Sequence, residues 1–114
     1  MDAFYALAEP RRRRVLELLA SRGRLTATQI CREFEVTPQA VSQHLNVLRE
    51  AGLISMEKQG QRRIYGINPE RTRDVEEWAD EVTSTWNRRF DALGGALDSE
   101  KKARATRKGR DRRG

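Results

Sequence analysis

The stretch from Thr26 to Ile67 leaves this chain few folds to choose from. It reads TATQICREF, then EVT, then PQAVSQHLNVLREAG, then LISMEKQGQRRIYGI: two helical patterns around a three-residue turn, followed by alternating runs with a basic centre. Thr26 and Gln29 have the spacing of a capping box, in which the hydroxyl accepts from a free first-turn N–H and the amide reaches back to the cap. Thr37 followed by Pro38 starts the second helix, because threonine caps it and proline fills a first-turn position that needs no donor. Val41, Leu45 and Leu48 recur at helical spacing and must face inward, and Gly52 closes the helix as a left-handed cap. Beyond it, Ile54 and Met56 alternate with Ser55 and Glu57, and Ile64, Tyr65 and Ile67 form a second short run. Gly60, between Gln59 and Gln61, permits the positive φ of a tight hairpin. The order predicts a winged helix-turn-helix, mainly α with a small β-hairpin.

The surfaces this leaves outward have a distinct chemistry. Gln39, Ser42, Gln43 and Asn46 fall opposite the apolar stripe of the second helix. They are uncharged side chains with donors and acceptors, and glutamine or asparagine can pair bidentately with an adenine edge in a major groove. A merely solvated helix face would more often carry Lys and Glu. Lys58, Arg62 and Arg63 flank the hairpin tip, where they can reach phosphates or an adjacent minor groove. A basic edge strand alone says little, because lysine and arginine also guard sheet edges against association. Directly after a helix-turn-helix it points to double-stranded DNA.

The last regular segment, residues 69–97, reads as one long helix capped by Asn68 with Pro69 in its first turn. Val75, Ala79, Val82, Trp86, Phe90, Leu93 and Leu97 follow at spacings of three and four, and Trp78 widens the stripe. That is more apolar surface than a small winged domain needs for its own core. A second copy of the chain is the natural cover, with Phe4, Tyr5 and Leu7 of the first helix completing the seam. Gly94 and Gly95 weaken the end of the helix by roughly 1 kcal/mol each relative to alanine. Ahead of the helix-turn-helix, Pro10 opens a helix whose buried stripe is Val15, Leu18 and Leu19, with Leu16 nearby. Arg11 to Arg14 fan around its first turn, and some of them are expected to pair with the acidic last helix.

The runs ALAEPRRRRVLELL, TPQAVSQHLNVLREAGLI and GQRRIYGINPE resemble the ArsR-type (arsenical-resistance repressor) winged-helix regulators of prokaryotes. The resemblance covers about residues 3–97 and is most specific in VSQHLNVLREAGLI. It implies a homodimeric transcription factor, usually a repressor, dimerised through its terminal helices and released from its operator by an effector. Carried onto this sequence, Gln39, Ser42, Gln43 and His44 match the reading helix, and Arg62 and Arg63 match the wing. Many such proteins sense metals through a Cys-x-Cys pair where this chain has Thr26 and Thr28. Hydroxyls are poor ligands for soft metals, which favour thiolates. Another sensing site in the family draws His and carboxylate ligands from the last helix, and residues 69–97 contain no histidine. No metal or cofactor is therefore expected.

Composition agrees with this reading. In 114 residues there is room for one compact core. The single cysteine, Cys31, excludes an intramolecular disulfide framework, and it reads as a small buried hydrophobe. No apolar stretch approaches the ~20 residues that span a bilayer, and the N-terminus lacks the order of a signal peptide, so a cytoplasmic protein is expected. The net charge of +6 is unevenly spread. Residues 1–68 carry 11 basic against 7 acidic side chains, residues 69–98 carry 4 against 8, and residues 99–114 carry 8 against 2. Residues 1–98 thus form a DNA-binding and dimerisation domain of balanced charge, and 99–114 a basic tail without large apolar side chains, expected to be disordered. Such a tail serves either as an arm for phosphates or as a solubilising end.

An enzyme is not expected: there is one histidine, no metal cluster and no Gly-rich phosphate loop. A winged-helix protein-interaction module and a redox-responsive regulator using Cys31 are the remaining alternatives. The assignment is Gln39, Ser42, Gln43 and Asn46 to base edges, and Thr37, His44, Lys58, Arg62 and Arg63 to the backbone or wing. Phe4, Tyr5, Leu7, Val75, Trp78, Val82, Trp86, Phe90 and Leu93 are assigned to the dimer seam. An effector is left open as a small molecule at that seam.

Overall fold

The computed structural model describes residues 2–93, which fall into two units, one up to Val75 and one from Glu76 onward. The first unit runs α1 (Ala3–Leu7), α2 (Pro10–Arg22), β1 (Leu25–Thr26), α3 (Ala27–Cys31), α4 (Pro38–Glu50), β2 (Ile54–Gln59) and β3 (Arg62–Ile67), then enters α5 (Pro69–Leu93). Its core is a single cluster in which Ala6, Val15, Leu19, Leu25, Ile30, Val41, Leu45, Leu48, Leu53, Ile54 and Tyr65 are buried. Full burial of one such leucine or valine stabilises by about 1.5–3 kcal/mol.

Local chemistry sets the element ends. Asp2 caps α1 by accepting from the Phe4 N–H at 2.8 Å. Glu9 caps α2 by accepting from the Arg11 and Arg12 N–H groups at 2.7 and 3.2 Å. The capping box of α3 is present in both directions: the Gln29 N–H donates to Thr26 Oγ1, and the Thr26 N–H donates to Gln29 Oε1. Thr37 Oγ1 accepts from the Ala40 N–H at 3.1 Å and starts α4. At its far end the Leu53 N–H reaches back to the Leu48 carbonyl while Gly52 sits at φ +79°, a left-handed termination that favours glycine. Asn68 then ties this corner to α5: its Nδ2 donates to the Gly52 carbonyl at 2.8 Å and its Oδ1 accepts from the Glu70 N–H.

The sheet departs from the sequence reading. Instead of a strand pair there are three antiparallel strands in the order β1-β3-β2, because Leu25 and Thr26 pair with Tyr65 and Ile64. A two-residue strand is too short to carry a period-2 signal. The turn between α3 and α4 is also longer than EVT. Helix α3 stops at Cys31, and the N–H groups of Glu33 and Phe34 close tight turns onto the carbonyls of Ile30 and Cys31. Phe34 and Val36 both pack against the core, and residues two apart cannot face the same way on a continued helix. In α2, Val15 and Leu19 are buried as expected, whereas Leu16 and Leu18 are half-buried.

The arginine run is absorbed locally. Arg12 donates from Nε to the Ala6 carbonyl at 2.6 Å and lies over the Tyr5 ring. Arg13 donates to the Leu7 carbonyl, Arg14 stacks on Phe34, and Arg11 pairs loosely with Glu9 at 3.8 Å. Arg12 and Arg13 are thus satisfied by the carbonyl end of α1, which suits a cation well.

The second unit, among the described residues, is the continuation of α5 from Glu76 to Leu93. No residue of α5 is buried. Val82 is 50% exposed, Trp86 59% and Leu93 82%. Trp86 and Phe90 meet with ring centroids 6.4 Å apart. The expectations for Gly94, Gly95, Leu97 and the basic tail 99–114 lie outside the described residues.

Candidate nucleic-acid interface

Helix α4 presents one face to the core and another to solvent. Val41, Leu45 and Leu48 are buried, while Gln39, Ser42, Gln43 and Asn46 are all exposed. Spacings of three, four and seven put these four on one side of the helix. None of them makes a side-chain hydrogen bond among the described residues, so their amides and hydroxyl are available. Thr37 heads the same helix: its oxygen caps Ala40, which leaves its hydroxyl proton free to donate.

His44 is set apart from that face. It is half-buried, with Nδ1 3.5 Å from Arg12 Nη1, and so leans toward α2. Arg12 therefore joins three elements: the α1 carbonyls of Tyr5 and Ala6, its own helix, and His44 of α4. Glu9 sits beside this cluster. Partial desolvation pushes its carboxyl up, but the N–H donors of Arg12 and Arg11, with the charges of His44 and Arg11, outweigh that and hold its pKa below the usual 4.5. No sequence signal announced the Arg12 junction, because the run RRRR does not distinguish its members.

The hairpin forms the second part. Gln59 pairs with Arg62 across a loop in which Gly60 takes φ +63° and no other residue is left-handed, the pattern of a II′ turn. Lys58 stands directly opposite Arg63, and both are exposed. Like charges in that relation are locally unfavourable. Lower on the sheet the polar residues are matched: Arg24 reaches across Gly66 to pair with Glu57. Among the described residues, positive charge is thus compensated at the base of the wing and left uncompensated at its tip.

The remaining site residues divide by exposure. Phe4, Tyr5, Trp78, Val82, Trp86 and Leu93 are exposed. Leu7, Val75 and Phe90 are half-buried, and Leu7 packs against the core of its own domain. Cys31 is likewise half-buried against that core. The family's cysteine-pair positions do not suit a soft metal here: Thr26 Oγ1 is engaged by the Gln29 N–H, and both side chains are hydroxyls. Among the described residues no helix is long and apolar enough to cross a membrane.

A helix-turn-helix domain profile matches residues 7–57. The chain is 35% identical over 77 residues to the transcriptional repressor SdpR of Bacillus subtilis, covering 68% of this chain and 84% of that protein. It is 35% identical over 98 residues to the HTH-type transcriptional regulator Rv2034 of Mycobacterium tuberculosis, covering 86% and 88%. A solved structure of an ArsR family transcriptional regulator superposes with a TM-score of 0.66 at 36% identity, covering 73% of this chain and 84% of that one.

Proposed function

The chain belongs to the ArsR family of winged helix-turn-helix regulators and is a DNA-binding transcriptional regulator, not an enzyme; on that premise we propose that it acts as a homodimeric repressor of a pseudo-palindromic operator, without transition-metal sensing. The observation that carries the reading is the exposed, uncharged face of α4 beside a wing tip whose cations have no acidic partner among the described residues. Gln39, Ser42, Gln43 and Asn46 read base edges in the major groove. Thr37, Lys58, Arg62 and Arg63 hold the backbone or the neighbouring minor groove, and His44, steadied by Arg12, contacts the backbone from the rim of α4. The unfavourable opposition of Lys58 and Arg63 is relieved when a phosphate lies between them.

The apolar stripe of α5 supports the homodimer. Val82, Trp86 and Leu93 stand half or more exposed, and so large an apolar surface on a long helix calls for a cover. Tyr5 and Phe4 of α1 offer further aromatic surface for the same association. Two reading helices joined in this way reach successive major grooves about 34 Å apart. Occupancy of a promoter then blocks transcription, and a ligand at the seam releases the dimer by altering the spacing of its two heads.

Selection of preferred duplexes from a random library tests the assignment. Gln43→Ala is expected to lose discrimination at one base pair of each half-site, by about 1–3 kcal/mol. Arg62→Ala is expected to weaken preferred and random duplexes together. An equal loss on every sequence for Gln43→Ala would contradict the role of that face.

A further inference from the structure

Strand β1 covers β3 only at Ile64 and Tyr65, because the chain turns into α3 at Thr26. Beyond that point the edge of β3 continues alone through Arg63 and Arg62 toward the hairpin tip. The gap between this bare edge and α3 is an open cleft of about 450 Å³, lined by Thr28, Gln29 and Arg32 on the helical side and Gln61, Arg62 and Arg63 on the strand side.

The electrostatics of the cleft are one-sided. No carboxylate lines it, and none of its three arginines has an acidic partner among the described residues. The two acids best placed in sequence are occupied elsewhere: Glu33, next to Arg32, pairs with Arg22, and Glu57 pairs with Arg24. Arginines lining a concave surface raise its positive potential, and a guanidinium group matches the oxygens of a phosphate in bidentate fashion. The volume falls within the range of small-molecule sites and exceeds what a single phosphate requires.

We propose that this cleft is a binding site for a small, multiply charged phosphate-bearing anion, held between Arg32 of the helix-turn-helix and Arg62 and Arg63 of the wing. The helical side contributes the Thr28 hydroxyl and the Gln29 amide nitrogen as further donors. An anion seated there engages the two wing arginines that the proposed DNA contacts also use. Its binding and DNA binding are therefore antagonistic, and by linkage each weakens the other by the same factor. This regulatory consequence rests on the wing's role in DNA binding, whereas the anion site itself does not.

Pyrophosphate is a suitable probe, with sodium chloride at matched ionic strength as the reference. Titrated into the DNA-free full chain and followed by amide chemical shifts, it is expected to bind saturably and to move residues 26–32 and 61–63 together. Arg32→Gln, a residue outside the proposed DNA contacts, is expected to weaken pyrophosphate about tenfold. The same variant should keep the melting temperature of the parent and its affinity for DNA in the absence of anion. Pyrophosphate is expected to weaken operator binding by the parent beyond the salt reference, and Arg32→Gln to remove that excess.

Shifts scattered over every basic residue without saturation would overturn the site. So would unchanged pyrophosphate affinity in Arg32→Gln. A loss of DNA affinity in Arg32→Gln without any pyrophosphate binding would assign the cleft to the phosphates of DNA and overturn the free-anion reading. Saturable pyrophosphate binding with no effect on DNA would retain the site and overturn the antagonism. Failure of the wing's DNA role is read separately, as unchanged DNA affinity in Arg62→Ala.

Discussion

At the scale of single residues, the side chains that matter most differ in what they do with their hydrogen bonds. Thr37 uses its oxygen on the first turn of α4, so Thr37→Ala is expected to cost about 1 kcal/mol in chemical denaturation and to fray the N-terminal end of that helix. Glu9 plays the same part for α2, but as an ion. Its folded-state pKa is depressed, so its stabilisation is present above the unfolded value and is lost as pH falls through the folded one. Thermal melts between pH 7 and 3 are expected to show the parent losing stability more steeply below about pH 4.5 than Glu9→Gln, whose amide does not titrate. Parallel curves would show that the Glu9 charge contributes nothing. The caps at Thr26, Thr37 and Asn68 were legible in the sequence because each is a short polar residue just before a helical pattern. Glu9 was not, since glutamate is a rare cap, and neither was Arg12, whose side-chain partners lie on α1 and α4, which only the fold brings together.

Elements are defined here by where they are forced to stop. Helix α4 ends at a glycine with φ +79°, and a Cβ added there meets only the movable guanidinium of Arg71 at 3.2 Å. The backbone conformation, rather than crowding, therefore sets the cost of Gly52→Ala, expected at about 1 kcal/mol or more by urea denaturation. Helix α3 stops early because Phe34 and Val36 must both reach the core, and β1 exists because its neighbour β3 has an open edge. Amphipathic spacing revealed α4, β2, β3 and α5 from the sequence alone, since each is long enough to repeat its period. It gave a shorter turn than the true one and missed β1, because two residues repeat nothing. The polar face of α4 and the basic tip of the wing were legible for the same reason as the helix and hairpin that carry them. The cleft between α3 and β3 was not, because it is made by the absence of strand pairing.

For the whole molecule, the organising contrast is between a first unit with a sealed core and an α5 with no buried residue. That contrast is what the proposed dimer resolves. A charge in the stripe, Val82→Asp, is expected to shift sedimentation from dimer to monomer and to weaken operator binding by roughly the avidity of a linked second head, about 10²-fold or more. The circular dichroism of the first unit should change little, because its core does not include Val82. Dimeric sedimentation in Val82→Asp would move the seam elsewhere. Charge is distributed on the same scale: 8 of the 23 basic residues lie in 99–114. Truncation after Asp98 is expected to flatten the dependence of affinity on salt while leaving the preferred sequence unaltered.

In the proposed dimer, two copies of one amide-rich helix read two half-sites. Hydroxyl-radical footprinting of a selected duplex with the full chain tests it most directly. Two symmetric protections are expected, centred about 34 Å apart, one helical turn, and related by a pseudo-two-fold axis in the sequence. A single protected half-site, or protection that follows no sequence, would contradict it.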